Sequence, residues 1–228
     1  MALSDAQRRE VPLPLTSYEA EAAARGELRL IIRPVEPQPP KLSSMFHWEI
    51  TTDGELVAVE SEPLRYPESG PEGHRAGIRA IAQPGDVIVG LESFLRGEEP
   101  DEDGKYVVWY AADYLNDPTF FMFDVEPAAT MPPEFARHRW TVERVECKRL
   151  HEVKEPECIA TGAPVIGSVV LPALPGEINS LDGPMCSTGQ VGVTQTPRCW
   201  FRETWGAAFP AYPRDSNPFV FLHWLGGE

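Results

Sequence analysis

The sequence predicts an α+β fold: a mostly antiparallel, partly closed β-barrel with a few short helices and long loop insertions. Three observations carry this expectation. Short apolar or alternating runs, bounded by Gly, Pro, Asn and Asp, recur along the chain and read as short strands. Parallel strand–helix–strand units are missing, which disfavours a doubly wound sheet. Proline accounts for 24 of the 228 residues, about double its usual share. Prolines are excluded from helix interiors and central strands, so long connections are expected.

The first ordered element is expected at Thr16. Thr16-Ser-Tyr-Glu19 fits a capping box, in which hydroxyl and carboxylate satisfy orphan amides at a helix start. A short helix follows from Tyr18 to Arg25, stopped by Gly26. Leu28 to Arg33 reads as a strand ended by Pro34, and Val35 to Pro40 as an extended spacer. Phe46–Ile50 and Glu55–Val59 flank Asp53-Gly54, a strong hairpin signal because a type I′ turn needs positive φ at both central residues. Residues 61–79 read as an exposed loop. Pro84-Gly85-Asp86 turns into the apolar strand Val87–Leu91. Residues 97–104 form an acidic turn before the strand Tyr106–Tyr110, and Phe120–Val125 is expected as a further strand. Arg139 to Cys147 alternates as a half-buried strand does. Glu155–Ala160 is expected as a helix closed by Gly162, and residues 163–197 as a long insertion. Arg198–Phe209 reads as a helix with Trp200, Phe201 and Trp205 as its apolar surface. Asn217-Pro218 opens a last strand, Phe219–Leu225. No internal repeat is evident.

Composition bounds the function. Acidic residues number 35 against 20 basic ones, a net charge of −15, so net repulsion argues against a protein that coats duplex nucleic acid non-specifically. Apolar residues at 42% and aromatics at 10% support a packed core and exclude wholesale disorder. The N-terminal stretch lacks an apolar signal region, and no stretch approaches the ~20 apolar residues of a membrane span. Cys147, Cys158, Cys186 and Cys199 do not resemble a secreted disulfide framework. A single domain over 1–228 in a reduced, cytoplasmic setting is the expectation, with no membrane partner.

Several separated segments carry a family resemblance. Arg29-Leu-Ile-Ile-Arg-Pro34 with Pro37-Gln-Pro39, then Pro84 to Phe94, then Tyr110-Ala-Ala-Asp113 follow one another in order. Next come Met131-Pro-Pro133 through Glu152, Glu155 to Gly162, Phe201-Arg-Glu-Thr-Trp205 and Asn217-Pro-Phe-Val-Phe221. In that order they resemble the phage-type ASCH-domain proteins of the PUA-like superfamily. The resemblance leaves residues 41–80 and 163–196 as insertions. It implies a small β-barrel, a phage or prophage origin, and a cleft that holds a nucleotide or a modified base in RNA or DNA. Family members that act as amidohydrolases on acylated cytidine carry a Gly-x-Lys-x-x-Thr-x-Arg motif and a downstream Glu. Counted back from Pro34, those positions fall on Ala23, Arg25, Leu28 and Leu30, and only the acid survives, as Glu92. Arginine holds its proton too tightly to serve as a base, and Leu28 offers neither nucleophile nor water ligand. The resemblance with these departures implies a non-catalytic module. Residual amidohydrolase or nuclease activity would rest on Glu92.

The residues expected to bind a nucleotide are therefore Arg25, Arg29, Arg33 and Glu92. Arg29 and Arg33 share one strand face and suit phosphate or base edges; the plainer alternative is solvated arginines paired with some of the many acids. Glu92, with Asp86 nearby in sequence, is either an acceptor for an exocyclic amino group or a structural partner of an arginine. Cys147, His151, Cys158, Cys186 and Cys199 lack the Cys-x-x-Cys pair usual in structural zinc sites, so buried free thiols are expected and no metal or cofactor. The histidines 47, 74, 138 and 223 are isolated. The tryptophans are expected in the core, with Trp48 the one placed to stack on a base. No nucleophile elbow or phosphate loop is present, and residues 183–189 form no more than a turn-rich loop. A rival class is a phage protein that occupies a basic site on a host enzyme, suited by the acidic run Glu98 to Asp103.

Overall fold

The computed structural model describes residues 8–39, 46–52, 55–60, 77–100, 105–164 and 196–226. Over these residues the fold is α+β, dominated by sheet. Its strands are β1 (Glu10–Pro14), β2 (Leu30–Pro34), β3 (Phe46–Ile50), β4 (Glu55–Glu60), β5 (Ile78–Arg79), β6 (Val87–Leu91), β7 (Phe94–Pro100), β8 (Tyr106–Tyr110), β9 (His138–Arg149) and β10 (Phe219–Leu225). The helices are α1 (Ser17–Ala24), α2 (Glu155–Ala160) and α3 (Pro197–Ala208), with several single 3-10 turns between them. No helix among the described residues is long and apolar enough to cross a membrane.

The main sheet has the order β1-β6-β9-β10-β2. Its pairs are antiparallel except β1 with β6. β9 is long enough to pair with β6 through its first residues and with β10 through the rest. Side chains alternate across the sheet. Ile31, Ile88, Trp140 and Phe221 face one core with the alanines of α1. Leu30, Ile32, Val220 and Leu222 face the other, against Cys158 of α2 and Phe201 and Trp205 of α3. Gly162, at φ +93, lies so close to α1 that a Cβ there would collide with that of Ala22.

The expected barrel closure is corrected. Backbone pairing leaves β1 and β2 as open edges. A side chain spans them instead: Arg33 of β2 donates to the Pro14 carbonyl of β1 at 2.8 Å. Order also begins earlier than Thr16, in β1. Pro12 and Pro14 argue against a strand, but β1 is an edge, where a missing N–H breaks no ladder on its outer side. Phe120–Val125 is not a strand; Phe120–Met122 is a 3-10 turn, and only the Phe94–Glu126 bridge is extended there. The expected acidic turn at residues 97–104 is partly strand, since β7 runs to Pro100 against β8.

The capping box at Thr16 and Glu19 is present as expected. The hairpin strands β3 and β4 pair in register, Ile50 with Leu56, while the Asp53-Gly54 turn itself lies outside the described residues. Within the 41–80 segment, β3, β4 and β5 form a second sheet whose Trp48, Ile50, Leu56 and Ile78 pack on the main core. Trp48 is half-buried and packs on the main core. The exposed-loop expectation for residues 61–79 falls outside the description except at residues 77–79, which carry β5, and the 163–197 insertion falls outside it for residues 165–195.

Candidate functional site

The four expected site residues do not share a pocket. Arg25 caps the exposed end of α1 and pairs with Glu21 at 2.5 Å and Glu27 at 2.7 Å. Arg29 is exposed at the mouth of β2 and donates to the neighbouring Leu28 carbonyl at 3.0 Å. Arg33 turns inward. Its guanidinium forks onto Glu19 of α1 at 2.7 and 2.9 Å, and that carboxylate is 1% exposed. Burial works against the charge on Arg33, but the attraction and hydrogen bonds of Glu19 outweigh it and raise its proton affinity.

Glu92 is occupied too. It lies buried just beyond β6, and Arg137 holds both its oxygens at 2.9 and 3.0 Å. Arg137 also grips Asp113 at 2.7 and 2.8 Å and lies 4.1 Å from the centroid of the Tyr110 ring. His138 Nε2 stands 3.5 Å from the same Glu92 carboxylate. Asp86 is a turn residue, accepting from the Gln83 amide and from Arg9. Glu92 is therefore a structural partner of an arginine, and the arginine is one the sequence reading missed. Arg137→Met is expected to cost about 2 kcal/mol in urea denaturation, between an exposed and a fully buried pair, and Glu92→Gln in the same chain should recover most of it. A loss under about 0.5 kcal/mol would show that Glu92 does not need this partner.

Three of the four positions matching the hydrolase motif, Ala23, Leu28 and Leu30, are core positions, and Arg25 is exposed. Leu28 and Leu30 are buried at 1% and 0% exposure, and neither side chain can accept a proton. Cys147, Cys158 and Cys199 are free thiols, and burial pushes the first two up to about 12, which keeps them inert at neutral pH. Cys186 lies outside the described residues. No group of three His, Cys, Asp or Glu able to hold a metal occurs among the described residues.

One expected residue does reach a concave surface. A cleft of ≈ 700 Å³ opens between the start of α1 and the end of α3, and Arg33 borders it. Tyr18, Trp200 and Phe209 supply aromatic walls, and Ser17, Glu21 and Thr204 supply polar atoms. Tyr18 meets Trp200 edge-on at 5.2 Å, and the Arg33 guanidinium lies 5.6 Å from the Phe209 ring centroid. A smaller hollow of ≈ 180 Å³ adjoins it through Leu15, Ser17 and Leu115. Burial, then the nearby Glu19 charge, pushes the Tyr18 phenol above its ordinary range, so at neutral pH it is a hydrogen-bonding group and not a base. The size and mostly apolar lining with a few polar groups fit a small ligand.

Trp200, expected in the core with the other tryptophans, is half-buried: it packs against the second core and also lines the cleft. Its position one residue before buried Phe201 puts it on the flank of α3, which helical spacing alone could have shown. Comparison with protein-family models, with curated proteins and with solved structures finds no match for this chain.

Proposed function

We propose that this chain is an ASCH/PUA-like module that binds a nucleotide or modified base of RNA or DNA, without catalysing a reaction on it. The base enters the cleft between α1 and α3. The observation that carries this reading is that cleft, walled by Trp200, Phe209 and Tyr18 with the Arg33 guanidinium at its edge. Flat aromatic faces accept any base, and stacking on them contributes about 1–3 kcal/mol per base. The Ser17 hydroxyl suits base edges that present acceptors, while the Arg33 guanidinium, its terminal N–H groups already taken by Glu19, Ile32 and Pro14, adds positive charge at the rim. An overall charge of −15 favours a closed pocket over a long electrostatic groove. The ordered segments that resemble the phage family support the same reading. Relative to the sequence expectation, Arg33 stays in the site by lining the cleft, while Arg25, Arg29 and Glu92 leave it.

The test is fluorescence anisotropy of short labelled RNA and DNA oligonucleotides at low salt, with free nucleosides as competitors. Wild type should bind, and Trp200→Ala should weaken binding about tenfold or more. No binding, or binding indifferent to Trp200, rejects the proposal.

A second reading, docking onto a basic host protein, has its own observation. Phe121, Met122 and Phe123 are exposed in sequence, Met122 at 84%, beside Asp117 and Asp124. Contiguous exposed apolar residues mark interaction surfaces. If oligonucleotides fail to bind, and a basic partner binds wild type but not Met122→Asp, this second reading replaces the first. Of the Glu98–Asp103 run, residues 98–100 end β7 and residues 101–103 lie outside the described residues.

A further inference from the structure

We propose that Arg198, Arg202 and Arg214 form a second site, which binds a phosphate group at the corner where α3 meets α2 and the 3-10 turn Arg214–Ser216. The site goes beyond the cleft. Arg202 is two residues from both Trp200 and Thr204, about 160° around the helix from the cleft wall.

The corner is a built one. Arg198 donates to the His151 carbonyl at 2.6 Å. The His151 ring meets the Arg214 carbonyl at 3.1 Å, and its amide donates to Asn217 Oδ1 at 2.9 Å. His151 therefore ties both flanking arginine segments to one frame. Arg202 stands one turn beyond Arg198 on the same flank of α3.

Charge is what sets this corner apart. The chain carries 35 acids for 20 bases, and most of the arginines described above have a carboxylate in contact. Among the described residues Arg202 has none: it makes no ion pair and no side-chain hydrogen bond with them. Arg198 likewise has no ion pair among the described residues, and its Nε is buried with no partner among them. Among the described residues Arg214 pairs only with Asp215, at 3.5 Å and 93% exposed, a pair of little strength. Burial, then the Arg198 and Arg214 charges, lowers the proton affinity of Arg202. Like charges gathered on a helix flank destabilise a fold, so a bound anion would relieve a repulsion that the protein alone leaves standing. Guanidinium forks match the oxygens of a phosphate and offer several donors at once. A free phosphate, a phosphomonoester and a nucleic-acid backbone share that chemistry.

The experiment follows the thermal midpoint of the full chain during titration with inorganic phosphate, balanced with chloride at constant ionic strength. Wild type should show a rise that saturates at millimolar phosphate. Arg202→Gln should start at a midpoint no lower than wild type, since it removes a repelling charge, and should lose the saturable rise. Arg144→Gln, on the far part of β9, should keep it. A rise of equal size in Arg202→Gln is general salting and overturns the proposal, as does no rise in wild type. A 5′-mononucleotide and an unphosphorylated oligonucleotide then separate the sources. Competition by the oligonucleotide assigns a backbone phosphodiester, and competition by the mononucleotide alone assigns a phosphomonoester. Trp200→Ala should keep the phosphate response, and Arg202→Gln should keep base binding in the cleft, so failure of one site is distinguishable from failure of the other.

Discussion

Arg33→Met is expected to destabilise the protein by about 3–5 kcal/mol, the cost of stranding one member of a buried ion pair. Glu19 is 0% exposed, and in the variant its carboxylate keeps only the Thr16 amide at 2.9 Å. The same substitution removes the donor that reaches Pro14 across the gap between β1 and β2, the contact that stands where a barrel would have backbone pairing. The pair as a whole need not be worth this much. Replacing both partners by neutral groups of similar shape is often close to neutral, because two desolvation penalties vanish with the attraction. Arg33→Met with Glu19→Gln is therefore expected to recover most of the loss, and the amide oxygen of Gln can still close the capping box. Urea denaturation of the two single variants and the double variant measures the coupling. Additive losses, or a single-variant loss below about 1 kcal/mol, would show that the clasp does not hold the sheet edges.

The same pair shows where the sequence stops being legible. Thr16 and Glu19 are three residues apart and announce a helix start by themselves. Glu19 and Arg33 are fourteen apart, on a helix and a strand, and no periodicity links them. Glu92 and Arg137 are forty-five apart and equally silent. Elements set by local chemistry were readable: the capping box, the Gly26 stop, the apolar β6, the alternating β9, and α3 with its buried Phe201 and Trp205. Elements set by tertiary contact were not. β1 exists because β6 offers it an edge despite Pro12 and Pro14. Residues Phe120–Met122 satisfy the composition of a strand but form a 3-10 turn, the Phe120 ring stacked on Tyr114 and met edge-on by Phe121. For the site, residue type was informative and partnership was not. Arginines beside a sheet look alike in sequence whether they await a ligand, as Arg202 is proposed to do, or are already satisfied, as Arg33 and Arg137 are. Only the charges left over after pairing separate the two cases.

His223 makes the stability of the fold depend on pH. It sits at the centre of β10, 0% exposed, opposite Ile31 of β2 and 6.4 Å from the Phe221 ring. Among the described residues neither ring nitrogen finds a hydrogen-bond partner of good geometry. Burial pushes its pKa down to about 4, the nearby Arg33 charge adds to the effect, and the Ile31 backbone works against it. The unfolded chain binds the proton near pH 6.5. Between those values the unfolded state holds more protons than the native one, so stability rises with pH and is lost as pH falls from about 6.5 toward 4. A shift of this size corresponds to about 3 kcal/mol. Urea midpoints for wild type and His223→Leu at pH 7, 6, 5 and 4 isolate the contribution, because carboxylate titration is common to both. At pH 7 the variant is expected to be as stable as wild type or more so, since it removes two unsatisfied polar atoms from the core. On acidification wild type is expected to fall about 3 kcal/mol further than the variant. Parallel curves would mean that the imidazole takes up its proton in place, and that Arg33 and the surrounding core do not hold it neutral.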